Sequence, residues 1–188
     1  MASPIAVLDA NVLYPAPLRD LLLQLATTDA FQPRWTQLIH DEWIRNLTVA
    51  RPELAERLLR TQARMDTVFP HAIVEGFEHL IDQLHLPDPD DRHVLAAAMA
   101  THAEWIITWN LVDFPDAVLE LYDIKAIDPD DFLLQFILTS PAQVISSARA
   151  CRSRLRNPAR TVEEYLGTLE ANGLTQTVGK LREVSDQL

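Results

Sequence analysis

Two aspartates occupy equivalent places in the sequence. Asp9 directly follows the apolar run Ile5-Ala6-Val7-Leu8, and Asp113 follows Trp105-Ile106-Ile107-Thr108 after a short turn through Asn110. Apolar runs this short read as buried strands rather than helices. In parallel α/β sheets ligands bind beyond the carboxyl ends of strands, so two carboxylates there could share one site. Either could equally be a turn or helix-capping acid. Glu42 lies one turn after Leu38 and Ile39, at the edge of a helical apolar stripe. It reads either as an exposed partner of Arg45 or Asn46, or as an inward-edge carboxylate that needs a partner of its own. Asp88-Pro89-Asp90-Asp91 precedes an alanine-rich helical segment, but Asp128-Pro129-Asp130-Asp131 repeats the same four residues before another. The string is therefore a helix-start signal in its own right, a cap followed by proline and first-turn acids. Spacing alone does not decide whether Asp91 does more.

The elements that would position these acids alternate between strand and helix. Leu18, Leu21, Leu22 and Leu25 repeat at helical spacing after Pro15 and Pro17, giving a helix with one buried stripe. A second helix is expected from about Thr36 to Thr48, and a third from Pro52, a favourable first-turn residue. Residues 71–86 are ambiguous. A fourth helix begins near Asp90 and turns Val94, Leu95, Ala98 and Met99 inward. Ala126-Ile127 could be a third strand, with a helix from Asp128. Alternation of this kind argues for an α/β domain with a mainly parallel sheet. Beyond it, Ser140-Pro141 reads as a helix start, Thr161-Val162-Glu163-Glu164 has capping-box spacing, and Gly173 is placed to end that helix. The expected division is a domain over 1–139 and a helical C-terminal extension over 140–188, of two or three helices without a strand.

Composition narrows the function classes. The chain has 188 residues, 48% hydrophobic and 23% charged, which is globular rather than disordered. No apolar stretch approaches the roughly 20 residues of a membrane span. Met1–Pro4 carries no basic segment, so no signal peptide is expected, and the lone Cys151 makes no internal disulfide. Both suit a reducing cytoplasm. The formal net charge is −11, but residues 1–139 hold 9 basic and 22 acidic side chains while residues 140–188 hold 7 and 5. The acidity of the body serves solubility; part of it could also be a cluster around a divalent metal. There is no glycine-rich phosphate loop and no Gly-x-Ser-x-Gly elbow. The six histidines show no zinc-like spacing and read as structural or surface groups. A haloacid-dehalogenase-type phosphatase would want a second Asp two residues after Asp9, where this chain has Asn11.

Three segments carry a family resemblance: Val7-Leu8-Asp9-Ala10-Asn11-Val12-Leu13, Asp90-Asp91-Arg92-His93-Val94-Leu95-Ala96-Ala97 and Ile107-Thr108-Trp109-Asn110-Leu111-Val112-Asp113-Phe114. Their order and spacing resemble the PIN-domain nucleases, and among them the VapC-type toxins of bacterial toxin–antitoxin pairs, over roughly residues 5–138. The resemblance implies a three-layer α/β sandwich around a central mainly parallel sheet. It implies a metal-dependent endoribonuclease with Mg²⁺ or Mn²⁺ held by Asp9, Glu42, Asp91 and Asp113. Asn11, Asn110 and Asp90 would support those ligands. Asp41 competes with Glu42, and Asp90 with Asp91, for the ligand position. It further implies an RNA substrate, a small antitoxin protein as partner, and a homodimer. A housekeeping RNA-processing nuclease and a catalytically inactive PIN-like binding module are the alternatives. Four carboxylates about 5 Å apart repel by on the order of 3 kcal/mol per pair at an effective dielectric near 20, so the set makes sense with cations. RNA must then be held by arginines, of which there are 14. Arg149, Arg152 and Arg156 fall at i, i+3 and i+7, which on a helix would form one basic stripe. That stripe reads either as a surface tracking phosphates or as a solvated face balancing the acidic body.

Overall fold

The structure, a computed structural model, describes residues 3–188. The reading of the N-terminal residues as lacking a leader rests partly on Met1 and Ala2, which lie outside the described residues. In chain order the elements are β1 (Ile5–Leu8), α1 (Ala10–Leu13), α2 (Ala16–Ala26), β2 (Gln32–Arg34), α3 (Gln37–Ala50), α4 (Ala55–Val68), α5 (Glu78–Ile81), α6 (Arg92–Ala100), β3 (Trp105–Ile107), α7 (Asp116–Leu119), β4 (Lys125–Ile127), α8 (Pro129–Thr139), α9 (Pro141–Arg154), α10 (Val162–Glu170) and α11 (Thr175–Arg182). They form two compact units.

The first unit runs to Tyr14 and resumes from Gln32 to Ile127. Its core is a four-stranded, all-parallel sheet in the order β2-β1-β3-β4. β1 and β3 are central, and Ala6, Val7, Leu8, Ile106 and Ile107 are fully buried. This matches the apolar runs of a parallel strand covered on both faces. Ala96, Ala97 and Ala98 are also fully buried. Their small side chains let α6 lie close against β1 and β3. The chain leaves β1 toward β2 on one side and returns to β3 on the other. The carboxyl ends of β1 and β3 therefore flank a topological switch point, the usual place for a ligand in an open α/β sheet.

β2 has no counterpart in the sequence expectations. Its Gln-Pro-Arg sequence has neither the apolar run nor the alternation of a strand, and its proline suits only an edge. It is an edge strand here, docked through Gln32 N–H to the Pro4 carbonyl at 2.8 Å. The ambiguous segment after α4 is an irregular path. Ile73 bridges in parallel to Trp35, and the segment then passes through the single turn of α5.

The second unit comprises Pro15–Phe31 and Asp128–Leu188 and is entirely helical apart from an isolated bridge between Arg156 and Ala159. The grouping differs from the division at 139/140, because α2 and α8 pack with the tail helices: α2 against α9 and α10, α8 against α9 and α11. The leucine stripe of α2, Leu18, Leu21, Leu22 and Leu25, is fully buried. Phe31 meets the edge of Phe132 at 5.1 Å between ring centroids. Thr161 and Glu164 form the expected capping box, and Gly173 turns the chain after α10 at φ 93°, a conformation that favours glycine. Among the described residues no helix is long and apolar enough to cross a membrane.

Candidate active site

Asp9 caps the N-terminus of α1. It is buried at 3% exposure, and its backbone N–H donates to the Ile107 carbonyl at 3.1 Å, which ties the end of β1 to the end of β3. Its Oδ1 accepts from Ala10 N–H at 2.6 Å; its Oδ2 accepts from Asn11 Nδ2 at 2.7 Å and from the Thr108 hydroxyl at 2.7 Å. Burial raises the Asp9 carboxyl above its ordinary range. The bonds from Thr108 and Ala10 pull it back down, Glu42 pushes it up and His93 lowers it.

Thr108, just past β3 and fully buried, is the hub of this end of the sheet. Its hydroxyl donates to Asp9 and accepts from Asn11 Nδ2 at 2.9 Å and from Asn110 N–H at 3.0 Å, so its one donor and both lone pairs are in use. Asn11 Oδ1 accepts from Trp109 N–H at 3.1 Å, and Asn110 Nδ2 donates to Asp113 Oδ2. Asn11 and Asn110 thus hold the two aspartates that end the central strands. Sequence reasoning passes over Thr108 as the last residue of a strand. The available signal is a hydroxyl closing the otherwise apolar run Trp105-Ile106-Ile107, one residue beyond the sheet.

Glu42, midway along α3, is partly buried, and its Oε2 lies 3.8 Å from His93 Nε2. Asp41 is exposed and accepts from Gln37 Nε2 at 2.7 Å along its own helix. Of the two adjacent acids, Glu42 is the one beside His93 and within the field of Asp9. Asp91 and Asp90 separate in the same way. The turn is capped by Asp88, whose Oδ1 accepts from Asp90 N–H at 2.9 Å, leaving Asp90 exposed. Asp91, half-buried at the start of α6, makes no capping bond. Its carboxyl is pushed up to about 7, first by burial and then by Asp9, Asp88, Asp113 and Glu42. The four acids come from β1, α3, the start of α6 and the turn after β3, and they meet in one electrostatic field. His93, which the sequence reads as a structural or surface group, lies beside Glu42 and acts on Asp9 through its charge, with a buried Nδ1 that has no hydrogen-bond partner among the described residues.

The donor set is oxygen-only and acidic, which suits a hard cation such as Mg²⁺ or Mn²⁺. The orientation is less compact. Among the described residues no three His, Cys, Asp or Glu side chains converge closely enough to hold one ion as they stand. Charge and donor type fit a divalent cation, and gathering the carboxylates around it requires side-chain rotation.

The tail arginines do not form the expected stripe. α9 ends at Arg154, with Leu155 as its C-cap, so Arg156 lies in the following loop rather than on the helix face of Arg149. Arg152 is committed to the backbone, donating to the Arg160 carbonyl at 3.0 Å and the Leu188 carbonyl at 3.1 Å. Asn157 and Pro158 stop the helix before a second turn can carry the i+7 position round.

A model of the PIN domain matches residues 6–112, and a model of the VapC50 C-terminal domain matches residues 129–183. A Mycobacterium tuberculosis protein named "Putative ribonuclease VapC50" is 64% identical over 44 residues, a stretch covering 23% of this chain and 26% of that protein. The chain thus matches about a quarter of that relative's length. No solved structure matches the chain.

Proposed function

The chain belongs to the PIN domain family, and on that footing we propose that it is a metal-dependent endoribonuclease, the toxin of a type II toxin–antitoxin pair. One observation carries the reading: four carboxylates from four separate elements share a field at the carboxyl ends of β1 and β3, where burial first and then the neighbouring acids raise Asp91 to about 7. A structural role explains a lone buried acid with donors, such as Asp9; it does not explain placing Asp91, Asp113 and Glu42 around it, since like charges destabilise the fold. The ribonuclease name of the Mycobacterium tuberculosis relative and the match to the VapC50 C-terminal domain support the same assignment.

In this reading Asp9, Glu42, Asp91 and Asp113 would hold Mg²⁺ or Mn²⁺, which when bound would supply water activation and neutralisation of phosphate charge. Asn11, Thr108 and Asn110 fix the orientations of Asp9 and Asp113. The same acidic cluster suits an arginine from an antitoxin segment, whose planar fork pairs with carboxylates. A cytoplasmic location and a homodimer belong to the same proposal.

RNA cleavage should require Mg²⁺ or Mn²⁺ and stop in EDTA. The metal should also raise thermal stability, by about 2.7 kcal/mol at 100 times its dissociation constant for one site on the native state. Cleavage of labelled RNA that persists in EDTA overturns the metal reading. Thr108→Val keeps the shape and removes the hydroxyl. It should lower cleavage by about 10–100-fold, the usual cost of losing a group that orients metal ligands. It should also cost about 1–3 kcal/mol of stability, because Asn110 N–H loses its acceptor. Unchanged cleavage by a destabilised Thr108→Val would make the hydroxyl structural only.

A further inference from the structure

Residues 132–162 contain five arginines and no acidic residue, in a chain whose net charge is −11. Four of the five, Arg149, Arg154, Arg156 and Arg160, are exposed. If this basic segment only balanced the acidic surface, its arginines would be paired with carboxylates. Among the described residues Arg149, Arg156 and Arg160 make no such ion pair, whereas Arg182 bridges Glu163 and Glu170 and Arg51 bridges Glu53. Nor do they serve the dipole of α9. Its last-turn basic residues are Arg152 and Arg154, and Arg156 and Arg160 lie beyond its end. Glu164 is held below its ordinary range first by Thr161, whose N–H and hydroxyl donate to it at 2.8 and 3.0 Å, and only last by the charge of Arg160, with which it makes no ion pair. Arg154, Arg156 and Arg160 line a concavity of about 560 Å³ together with Leu155, Asn157 and Pro158.

We propose that this concavity, with the exposed Arg149 of the helix that leads into it as a further contact, binds the phosphodiester backbone of single-stranded RNA. The guanidinium fork pairs with phosphate oxygens two at a time. Arg154 is steadied by donating to Gln24 Oε1 at 2.6 Å and to Cys151 Sγ at 3.2 Å, while Arg149, Arg156 and Arg160 make no ion pair among the described residues, and several exposed guanidiniums on one short segment suit a chain of phosphates better than a single ion. An acidic body repels RNA, so attraction must come from a region where cations outnumber acids, and the segment over 132–162 is one. The identity of the polyanion rests on the ribonuclease reading; the presence of an uncommitted polyanion surface does not.

The test is fluorescence anisotropy of a labelled single-stranded RNA with the full chain in EDTA, across a range of KCl concentrations, so that binding is read without cleavage. Arg149→Gln, Arg156→Gln and Arg160→Gln together should weaken binding by about 10–100-fold at low salt. They should also lower the slope of log K against log salt by roughly 0.7 for each phosphate no longer neutralised. Arg156→Gln alone, a change in an exposed loop, should lower it by a single such step, and this reading stands even if the triple variant folds poorly. The triple lysine variant keeps the charge and should retain the slope. RNA affinity and slope equal to the wild type in the glutamine variants overturn the proposal. So does a loss confined to binding of phosphatidylglycerol vesicles or of an acidic peptide. A wild-type chain that binds RNA through these arginines but never cuts it with Mg²⁺ or Mn²⁺ removes the nuclease reading and leaves this surface standing.

Discussion

Asp91→Asn is expected to abolish RNA cleavage and, in EDTA at pH 8, to make the protein more stable than the wild type. Burial and four neighbouring acids raise the Asp91 carboxyl to about 7, so at pH 8 it is a charge held at a cost. The folded chain keeps its proton to higher pH than the unfolded chain, whose aspartate titrates near 3.9. Stability contributed by this group is therefore full below about 4 and is lost as pH rises through about 7. Asparagine removes the charge and the slope. Because Asp91 is half exposed, solvent screening reduces the gain to about 1 kcal/mol, a rise of roughly 2–4 °C in Tm. The loss of cleavage should exceed the 10–100-fold typical of an orienting group, and stabilisation by Mg²⁺ should shrink with it. Asp90→Asn should do neither, since Asp90 is exposed and the turn is capped by Asp88; its effect on stability should stay within about 0.5 kcal/mol. A dead Asp90→Asn beside an active Asp91→Asn would move the site by one residue. An Asp91→Asn that melts lower than the wild type in EDTA would show that the carboxylate is structural.

The strands β1, β3 and β4 and the leucine-striped α2 are legible in the sequence because each is a local apolar pattern whose burial follows from period and length. The acids are legible as candidates for the same reason: they sit directly at the ends of those patterns. What local pattern does not carry is partnership across the fold. Asp88-Pro89-Asp90-Asp91 and Asp128-Pro129-Asp130-Asp131 are identical strings, yet in the first the last acid enters the carboxylate field, and in the second Asp130 is buried at 6% exposure against α11. Thr108 is one strand-end hydroxyl until β1 lies beside β3 and brings Asp9 within 2.7 Å. β2 escapes notice because an edge strand with backbone pairing on one main side needs little apolar sequence of its own. The arginine stripe fails for the opposite reason. Spacing at i, i+3 and i+7 assumes a helix that continues, and α9 stops at Arg154.

The second large effect is expected at Asp130. Gln176 and Thr177 are the second and third residues of α11, and their N–H groups have no partner within that helix. Leu174, at the N-cap position, offers no side-chain acceptor. Asp130, reaching from α8, supplies it: Oδ2 accepts from Gln176 N–H and Oδ1 from Thr177 N–H, each at 2.8 Å. One carboxylate thus caps a helix from outside it, with its charge at the positive end of the dipole. Thr177 is fully buried, so water cannot replace the missing bond. Asp130→Ala should cost about 2–4 kcal/mol, combining the loss of a cap with a buried donor left unsatisfied, and lower Tm by roughly 5–12 °C. Asp130→Asn keeps one acceptor and loses the charge, so it should fall between alanine and wild type. Asp131→Asn retains the oxygen that accepts from Gln176 Nε2 at 2.7 Å and is exposed, so its effect should stay within about 0.5 kcal/mol. Calorimetry orders the three variants, and hydrogen exchange at the Gln176 and Thr177 amides locates the change. Asp130→Ala melting within about 1 °C of the wild type, with both amides still protected, would show that α11 is held by its buried Val178 and Leu181 and not by this carboxylate.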